Sequence, residues 1–376
     1  MTRRKPIGLN IRLRYVKDIS TLRKRLVEME PAWCVLCIDR DDHFPYLEAL
    51  AKEHPDIKFI ARVVDVNPDV GGTEPRDGKW HLKPDDDRKY LCSPVDFLTR
   101  WGHLGKNGLT LNVSNEPNGY VDKEHPDNLR RLAEWTLEIL KLATARGISL
   151  CVLNFATGHP VLVKGAHGTE WVSAFDDVLK YVSEHRQHVI GLHEYLPGIG
   201  IDNRIGRIGA LVNRCTTLGI KPPRVVITEY GVDYAGEKDR DGYISRGWGS
   251  DFYADALYDL MNVPYKPLLE AGTLEGACVF VYADQGRFKN FDVETDDVFH
   301  KTLLRRAQQW AQSAVPPTTA TTTGEFKPVV VPVEVKPVEP KPEAQKVVLT
   351  IELTGEDARL LLALVESLKK ASLVVT

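Results

Sequence analysis

The hydrophobic pattern of this chain switches repeatedly between two periods. Short apolar runs that read as buried strands cover Ile7–Leu13, Trp33–Ile38, Ile57–Val64, Leu109–Ser114, Ser149–Asn154, His188–Leu192, Arg224–Thr228 and Gly276–Val281. Each is followed by a stretch with apolar residues at helical spacing: Ser20–Met29, His43–Glu53, Val95–Gly105, Pro126–Arg146, Glu170–His185, Ile205–Leu218, Asp251–Met261 and Val298–Gln312. In the longest of these, Leu129, Leu132, Leu137, Leu140 and Leu142 mark the apolar side, and Gly219 is well placed as the C-cap of the sixth. Alternating strand–helix units predict a parallel sheet with helices outside it. Eight such units predict an α/β fold of the closed (β/α)8 type, a TIM barrel. The alternative is an open doubly wound sheet, but no Gly-x-Gly-x-x-Gly run follows any strand.

The pattern changes after residue 313. Residues 314–345 form a Pro/Thr/Lys-rich linker, expected to be extended and poorly ordered. Residues 346–376 regain order in the sequence. Val347, Leu349, Ile351 and Leu353 alternate as a strand, and Leu360, Leu361, Leu364, Val365 and Leu368 form a helical stripe. A unit of about 30 residues cannot bury a core of its own. The expectation is a small strand–helix segment that oligomerises or docks, behind a barrel spanning 1–313.

Composition narrows the partners. The chain has 376 residues, 43% hydrophobic and 27% charged, with a net charge of −3. That supports a full core and makes no electrostatic case for nucleic acid. No apolar run approaches the ~18 residues that span a bilayer. The start is basic, with Arg3, Arg4 and Lys5, but lacks the apolar stretch of ~7–15 residues of a secretory signal. The expectation is a cytoplasmic protein by default, or one exported by another route.

Of six cysteines, Cys34, Cys37, Cys151 and Cys278 lie inside strand runs, whereas Cys92 and Cys215 do not. Cys34-Val35-Leu36-Cys37 has redox spacing, yet alternation points its thiols to opposite faces, so buried free thiols are expected. No ligand spacing implies a metal, and Asp85-Asp86-Asp87 reads as a solvated charge run. No cofactor is expected.

A barrel carries its reactive groups at the C-terminal ends of its strands. Two apolar strands here run into glutamates: the fourth into Asn115-Glu116-Pro117, the seventh into Thr228-Glu229-Tyr230-Gly231. By alternation Asn112, Ser114 and Glu116 share one face, and so do Val225, Ile227 and Glu229. The sixth strand leads into His193-Glu194-Tyr195. Singly, these are a turn, a solvated strand end and a core histidine. Together, at the ends of strands four, six and seven, they supply the two carboxylates that glycoside hydrolysis requires.

These motifs resemble the clan A glycoside hydrolases, family 5 and its relatives. The resemblance implies a retaining β-glycosidase with Glu116 as acid/base and Glu229 as nucleophile. It implies that Asn115 bonds the sugar 2-hydroxyl, that Tyr195 holds the nucleophile and that His193 lines the cleft. Two positions depart from the family pattern. The tryptophan usual at the end of the eighth strand is absent from Phe280-Val281-Tyr282, and Tyr282 is taken as its substitute. The arginine beside the nucleophile has three candidates, Arg12, Arg40 and Arg62. Two long loops carry aromatic residues suited to stacking on sugar rings: 65–91 with Trp80, His81 and Tyr90, and the loop after Glu229 with Tyr234, Tyr243 and Trp248. Trp80, Trp248 and Asn154, at the end of the fifth strand, complete the expected substrate-binding set for an oligo- or polysaccharide. The readings kept beside this one are a non-catalytic carbohydrate-binding barrel and a structural or attachment component tethered by the C-terminal segment.

Overall fold

The computed structural model describes residues 5–38, 43–63, 93–115, 127–155, 173–196, 207–232, 242–244, 247–262, 265–284 and 288–312. Strands β1 (Ile7–Arg12), β2 (Trp33–Ile38), β3 (Lys58–Val63), β4 (Thr110–Asn112), β5 (Ser149–Phe155), β6 (Val189–Leu196), β7 (Val225–Val232) and β8 (Leu274–Tyr282) pair in parallel in chain order, and β8 closes onto β1. Helices α1 (Ile19–Met29), α2 (Phe44–Glu53), α3 (Pro94–Lys106), α4 (Asp127–Ala145), α5 (Asp176–Glu184), α6 (Arg207–Thr217), α7 (Ser250–Asn262), α8 (Lys266–Glu270) and α9 (Asp297–Gln312) accompany them. The fold is the expected (β/α)8 barrel. The one helix not anticipated is α8, whose five residues are too few to show a period. Strands β6 and β7 run four residues past their expected ends, to Leu196 and Val232, so the sixth- and seventh-strand motifs lie on strands rather than in loops. The linker 314–345 and the segment 346–376 lie outside the described residues.

Local chemistry sets the helix boundaries. Asp18 caps α1 by accepting the Ser20 N–H at 2.9 Å, and Ser93 caps α3 by accepting the Asp96 N–H at 3.1 Å. Gly219 takes a left-handed φ of 66° just beyond α6, the C-terminal role expected of it.

Two cores divide the apolar side chains. Outward strand residues such as Leu9, Leu36, Ala61, Leu111, Ile190 and Ile227 pack with the inner faces of the helices. Inside the barrel, Val35, Cys37, Ile60, Cys151, Val189, Val226 and Cys278 form a second cluster above Trp33. Cys34 belongs to the outer layer and Cys37 to the inner one, as alternation requires. The five described cysteines are free and buried, and burial pushes the thiols of Cys34, Cys151 and Cys215 up to about 12.

The N-terminal end of the barrel is closed by Trp33, whose indole N–H donates to Glu275 at 2.9 Å. Lys58 and Arg224 both pair with Glu275 and sit over the Trp33 ring. Burial alone would raise the Glu275 carboxyl, but Arg224 and Lys58 outweigh it and bring it to about 2. A hollow lined by Trp33, Leu274 and Trp310 opens at this end, away from the C-terminal ends of the strands. Among the described residues no helix is long and apolar enough to cross a membrane.

Two buried histidines make stability depend on pH. His188 accepts the Leu150 N–H at 3.1 Å and faces the Thr144 hydroxyl at 2.9 Å; burial, then the neighbouring His185, brings it from 6.5 to about 4. His300 bonds the Val293 carbonyl at 2.7 Å; burial, then Arg25, brings it to about 4. With folded pKa values below the unfolded ones, the unfolded chain takes up these protons first as pH falls. Stability is therefore full above pH 6.5 and is lost toward pH 4, by about 3 kcal/mol for each group. Glu275 adds a loss of the same sign below 4.5. The urea midpoint is expected to fall steeply between pH 7.5 and 5, and His188→Gln to flatten that slope. An equal midpoint at both pH values in the wild type would refute the assignment.

Candidate active site

The C-terminal halves of β3, β6 and β7 converge on one carboxylate. Glu229, on β7, is all but buried at 6% exposure. The Tyr195 hydroxyl on β6 donates to Glu229 Oε2 at 2.5 Å. Arg62 on β3 donates from Nη1 to Glu229 Oε1 in an ion pair buried on both sides. His193 Nδ1 stands 3.4 Å from Oε2, and the ring's Nε2 faces Arg62 Nη2 at 3.4 Å. Arg62 can only donate, so Nε2 accepts and the ring hydrogen belongs on Nδ1, directed at Glu229. A buried carboxylate needs a counter-charge and further hydrogen bonds to be tolerated, and Glu229 has both. Both oxygens are thus held in a fixed orientation by side chains that are themselves on strands.

Of the three candidate arginines, the structure brings Arg62 to Glu229. Arg12 pairs instead with Asp284 at 2.7 Å, its guanidinium lying over the rings of Tyr15 and Phe288. Arg40 lies outside the described residues.

Three register shifts decide which side chains enter the barrel. In β7 the pairing with β8 slips between Ile227 and Tyr230. Val225 and Ile227 consequently join the outer layer, while Glu229 points inward to Arg62 and Tyr195. The expectation that Val225, Ile227 and Glu229 share a face fails here, because the bulge breaks the alternation on which it rested. In β8 the pairing with β1 slips between Phe280 and Tyr282. Tyr282 is turned to the helix layer, where its hydroxyl accepts from Arg25 at 3.3 Å and its ring packs on His300. Phe280 takes the inward place, its centroid 5.9 Å from that of Tyr195, with Phe288 and Phe291 behind it. The aromatic residue next to the site is therefore Phe280, not Tyr282.

The third slip, in β5 between Leu153 and Phe155, turns Asn154 into the barrel. Its amide oxygen accepts from Thr228 at 2.9 Å and from Cys151, and its nitrogen donates to Asn112 and to the Cys151 carbonyl. Asn154 is 0% exposed, and its amide is fully occupied within the protein. It is a buried strut beneath Glu229, which corrects its expected place in the sugar-binding set.

Asn115 is buried directly after β4. Trp248 is half-buried and packs edge-on against Phe252 of α7 at 4.9 Å. Glu116, Trp80 and the loop 65–91 lie outside the described residues. Sequence reasoning passed over Asn10, Asn112 and Thr228, the buried polar side chains beneath the site. Their signal was present, as polar residues at inward positions of apolar strands. Among the described residues, no group of three His, Cys, Asp or Glu is arranged to hold a metal.

No protein-family model matches this chain, and no curated protein matches it in sequence. Among solved structures it is similar to a GH30 endoxylanase from Clostridium papyrosolvens C71, at 12% identity over 84% of this chain and 73% of that chain, with a TM-score of 0.44. A glycoside hydrolase family 30 subfamily 8 xylanase from Clostridium acetobutylicum matches at 12% identity over 82% and 71%, TM-score 0.46. A GH128 (subgroup II) endo-beta-1,3-glucanase from Pseudomonas viridiflava matches at 14% identity over 83% and 98%, TM-score 0.41. The barrel rests on its own strand pairing, and likeness at these scores adds nothing to the assignment of the site.

Proposed function

We propose that this protein is a retaining glycoside hydrolase acting on a β-linked glycan, with Glu229 as nucleophile and Glu116 as acid/base. The observation that carries this reading is the immobilised Glu229 carboxylate, gripped by Arg62, Tyr195 and His193 at the C-terminal ends of the strands. A carboxylate so held does not rotate away, and it loses little freedom when its oxygen attacks an anomeric carbon. In the first step Glu229 forms a bond to that carbon as the bond to the leaving oxygen breaks, and Glu116 gives its proton to that oxygen. In the second, Glu116 takes a proton from water as the water displaces Glu229. Asn115, next to Glu116 in the chain, is suited to bonding a sugar hydroxyl, and Phe280 to packing beneath the ring.

The test is a panel of 2-deoxy-2-fluoro glycosyl fluorides in the gluco, manno, galacto and xylo series, read by intact mass and peptide mapping. The fluorine slows the second step, so the glycosyl ester accumulates. The expected result is a single adduct on Glu229 with at least one sugar. Xylan and β-1,3-glucan, the polymers of the similar enzymes, are the first natural substrates to assay. Folded protein with no adduct and no product would overturn the reading in favour of a barrel that binds sugar without cleaving it.

A further inference from the structure

We propose that Asn154 is a positioning residue that ties β4 to β7 across the barrel and so fixes where the end of β4, at Asn115, stands opposite Glu229. This rests on the two-glutamate reading above.

The argument starts from the backbone. Leu153 and Asn154 have positive φ values of 76° and 37°, a conformation that L-residues, and leucine especially, adopt at a cost. The pairing of β5 with β6 slips at the same point. Without the slip, alternation from Cys151 would send Asn154 outward into the apolar helix layer. With it, Phe155 goes outward onto Phe175, and Asn154 goes inward. Space for the amide exists because residue 191 is glycine: a Cβ there would lie 2.0 Å from Asn154 Oδ1 and 2.8 Å from Cys151 Sγ. The chain thus holds a left-handed turn and an unsubstituted neighbour around one side chain.

That side chain bridges two particular strands. Asn154 Nδ2 donates to Asn112 Oδ1, the last residue of β4 and three before Asn115. Asn154 Oδ1 accepts from Thr228 Oγ1 at 2.9 Å, the residue directly before Glu229. The Thr228 carbonyl in turn accepts from Asn10 Nδ2 at 3.0 Å, and Asn10 Oδ1 from the Cys37 thiol at 3.3 Å. Strands β4 and β7 are not neighbours in the sheet. No backbone ladder therefore sets their separation directly, and a fully satisfied polar bridge does. The separation of the two carboxylates is what divides retaining from inverting chemistry, ~5–5.5 Å against ~6.5–9.5 Å. A strut between their two strands acts on that quantity.

Thr228→Val removes only the hydroxyl at nearly constant volume, Asn154→Ala removes the whole bridge, and Thr228→Ser restores the donor. Each is made in the full chain, checked for folding by circular dichroism, crystallised beside the wild type, and assayed on the substrate the wild type turns over. The expected result for Thr228→Val is a kcat lower on the order of 100-fold with KM within about threefold. The loss is larger for poor leaving groups than for good ones, because the proposed acid follows Asn115 directly, and Thr228→Ser recovers the rate. A merely structural defect would not divide substrates by leaving group. In the crystals, the Asn115–Glu229 Cα separation changes by on the order of 1 Å in Thr228→Val and Asn154→Ala, and not in Thr228→Ser. An unchanged separation in folded Thr228→Val overturns the proposal, as does a change in KM alone. If the wild type neither turns over a glycan nor forms an adduct, the enzymatic reading falls, and the separation still decides whether the strut exists.

Discussion

Glu229→Ala is expected to lower turnover on the order of 10⁵-fold while leaving the protein able to bind its glycan. The substitution removes the atom that would bond the anomeric carbon, and nothing else described in the site offers a second nucleophile in its place. It also leaves a small space bordered by Arg62, Tyr195 and His193, all donors. Azide, an anion of suitable size, is expected to enter that space and attack an activated glycosyl fluoride or aryl glycoside directly. One displacement in place of two inverts the anomeric centre, so the product is the glycosyl azide of opposite configuration to the substrate. Proton NMR of the product reads this out. Glu229→Ala with more than about a tenth of wild-type turnover would exclude Glu229 as nucleophile, and an azide product of retained configuration would exclude it equally.

That prediction depends on a side chain whose direction could not be read from alternation. The barrel was legible because it rests on period: the eight strands and eight of the helices fall where apolar spacing places them, within a few residues at each end. The motifs at the ends of strands four, six and seven were legible because Asn, Glu, His and Tyr are out of place in apolar strands. Orientation was the part that period could not supply. Each of the three strands that slip does so near its C-terminal end, and a slip of one residue exchanges the two faces for everything after it. Glu229 was placed on the correct side by a wrong argument, and Tyr282 on the wrong side by the same one. Arg62 could not be separated from Arg12 in the sequence because both occupy inward positions on early strands. What separates them is Asp284, which takes up the charge of Arg12 and lies 272 positions away in the chain. Long-range pairings of this kind leave no local pattern. The bulges do the functional work here: they turn Asn154, Glu229 and Phe280 toward one another, and they send Phe155, Tyr230 and Tyr282 to the helix layer.

Glu116→Ala is expected to divide substrates by leaving group, which Glu229→Ala cannot do. Hydrolysis of unactivated glycans falls on the order of 10³–10⁴-fold, since an alkoxide must leave without a proton. An aryl glycoside with an acidic phenol, such as a dinitrophenyl group, needs little protonation and still forms the glycosyl-enzyme on Glu229 at near the wild-type rate. Water then attacks slowly without its base, so the intermediate accumulates, KM falls together with kcat, and a burst of phenol precedes the steady state. Azide needs no general base and is expected to accelerate this second step. Because it arrives after a first inversion at Glu229, it yields a product of retained configuration, opposite to that from Glu229→Ala. The two variants therefore cross-check each other through a single stereochemical measurement. Loss of activity that is uniform across leaving groups in Glu116→Ala, with no burst, would remove Glu116 from the acid/base role. Glu229 would then keep its place only if a different acid were found among the loops at the C-terminal end of the barrel.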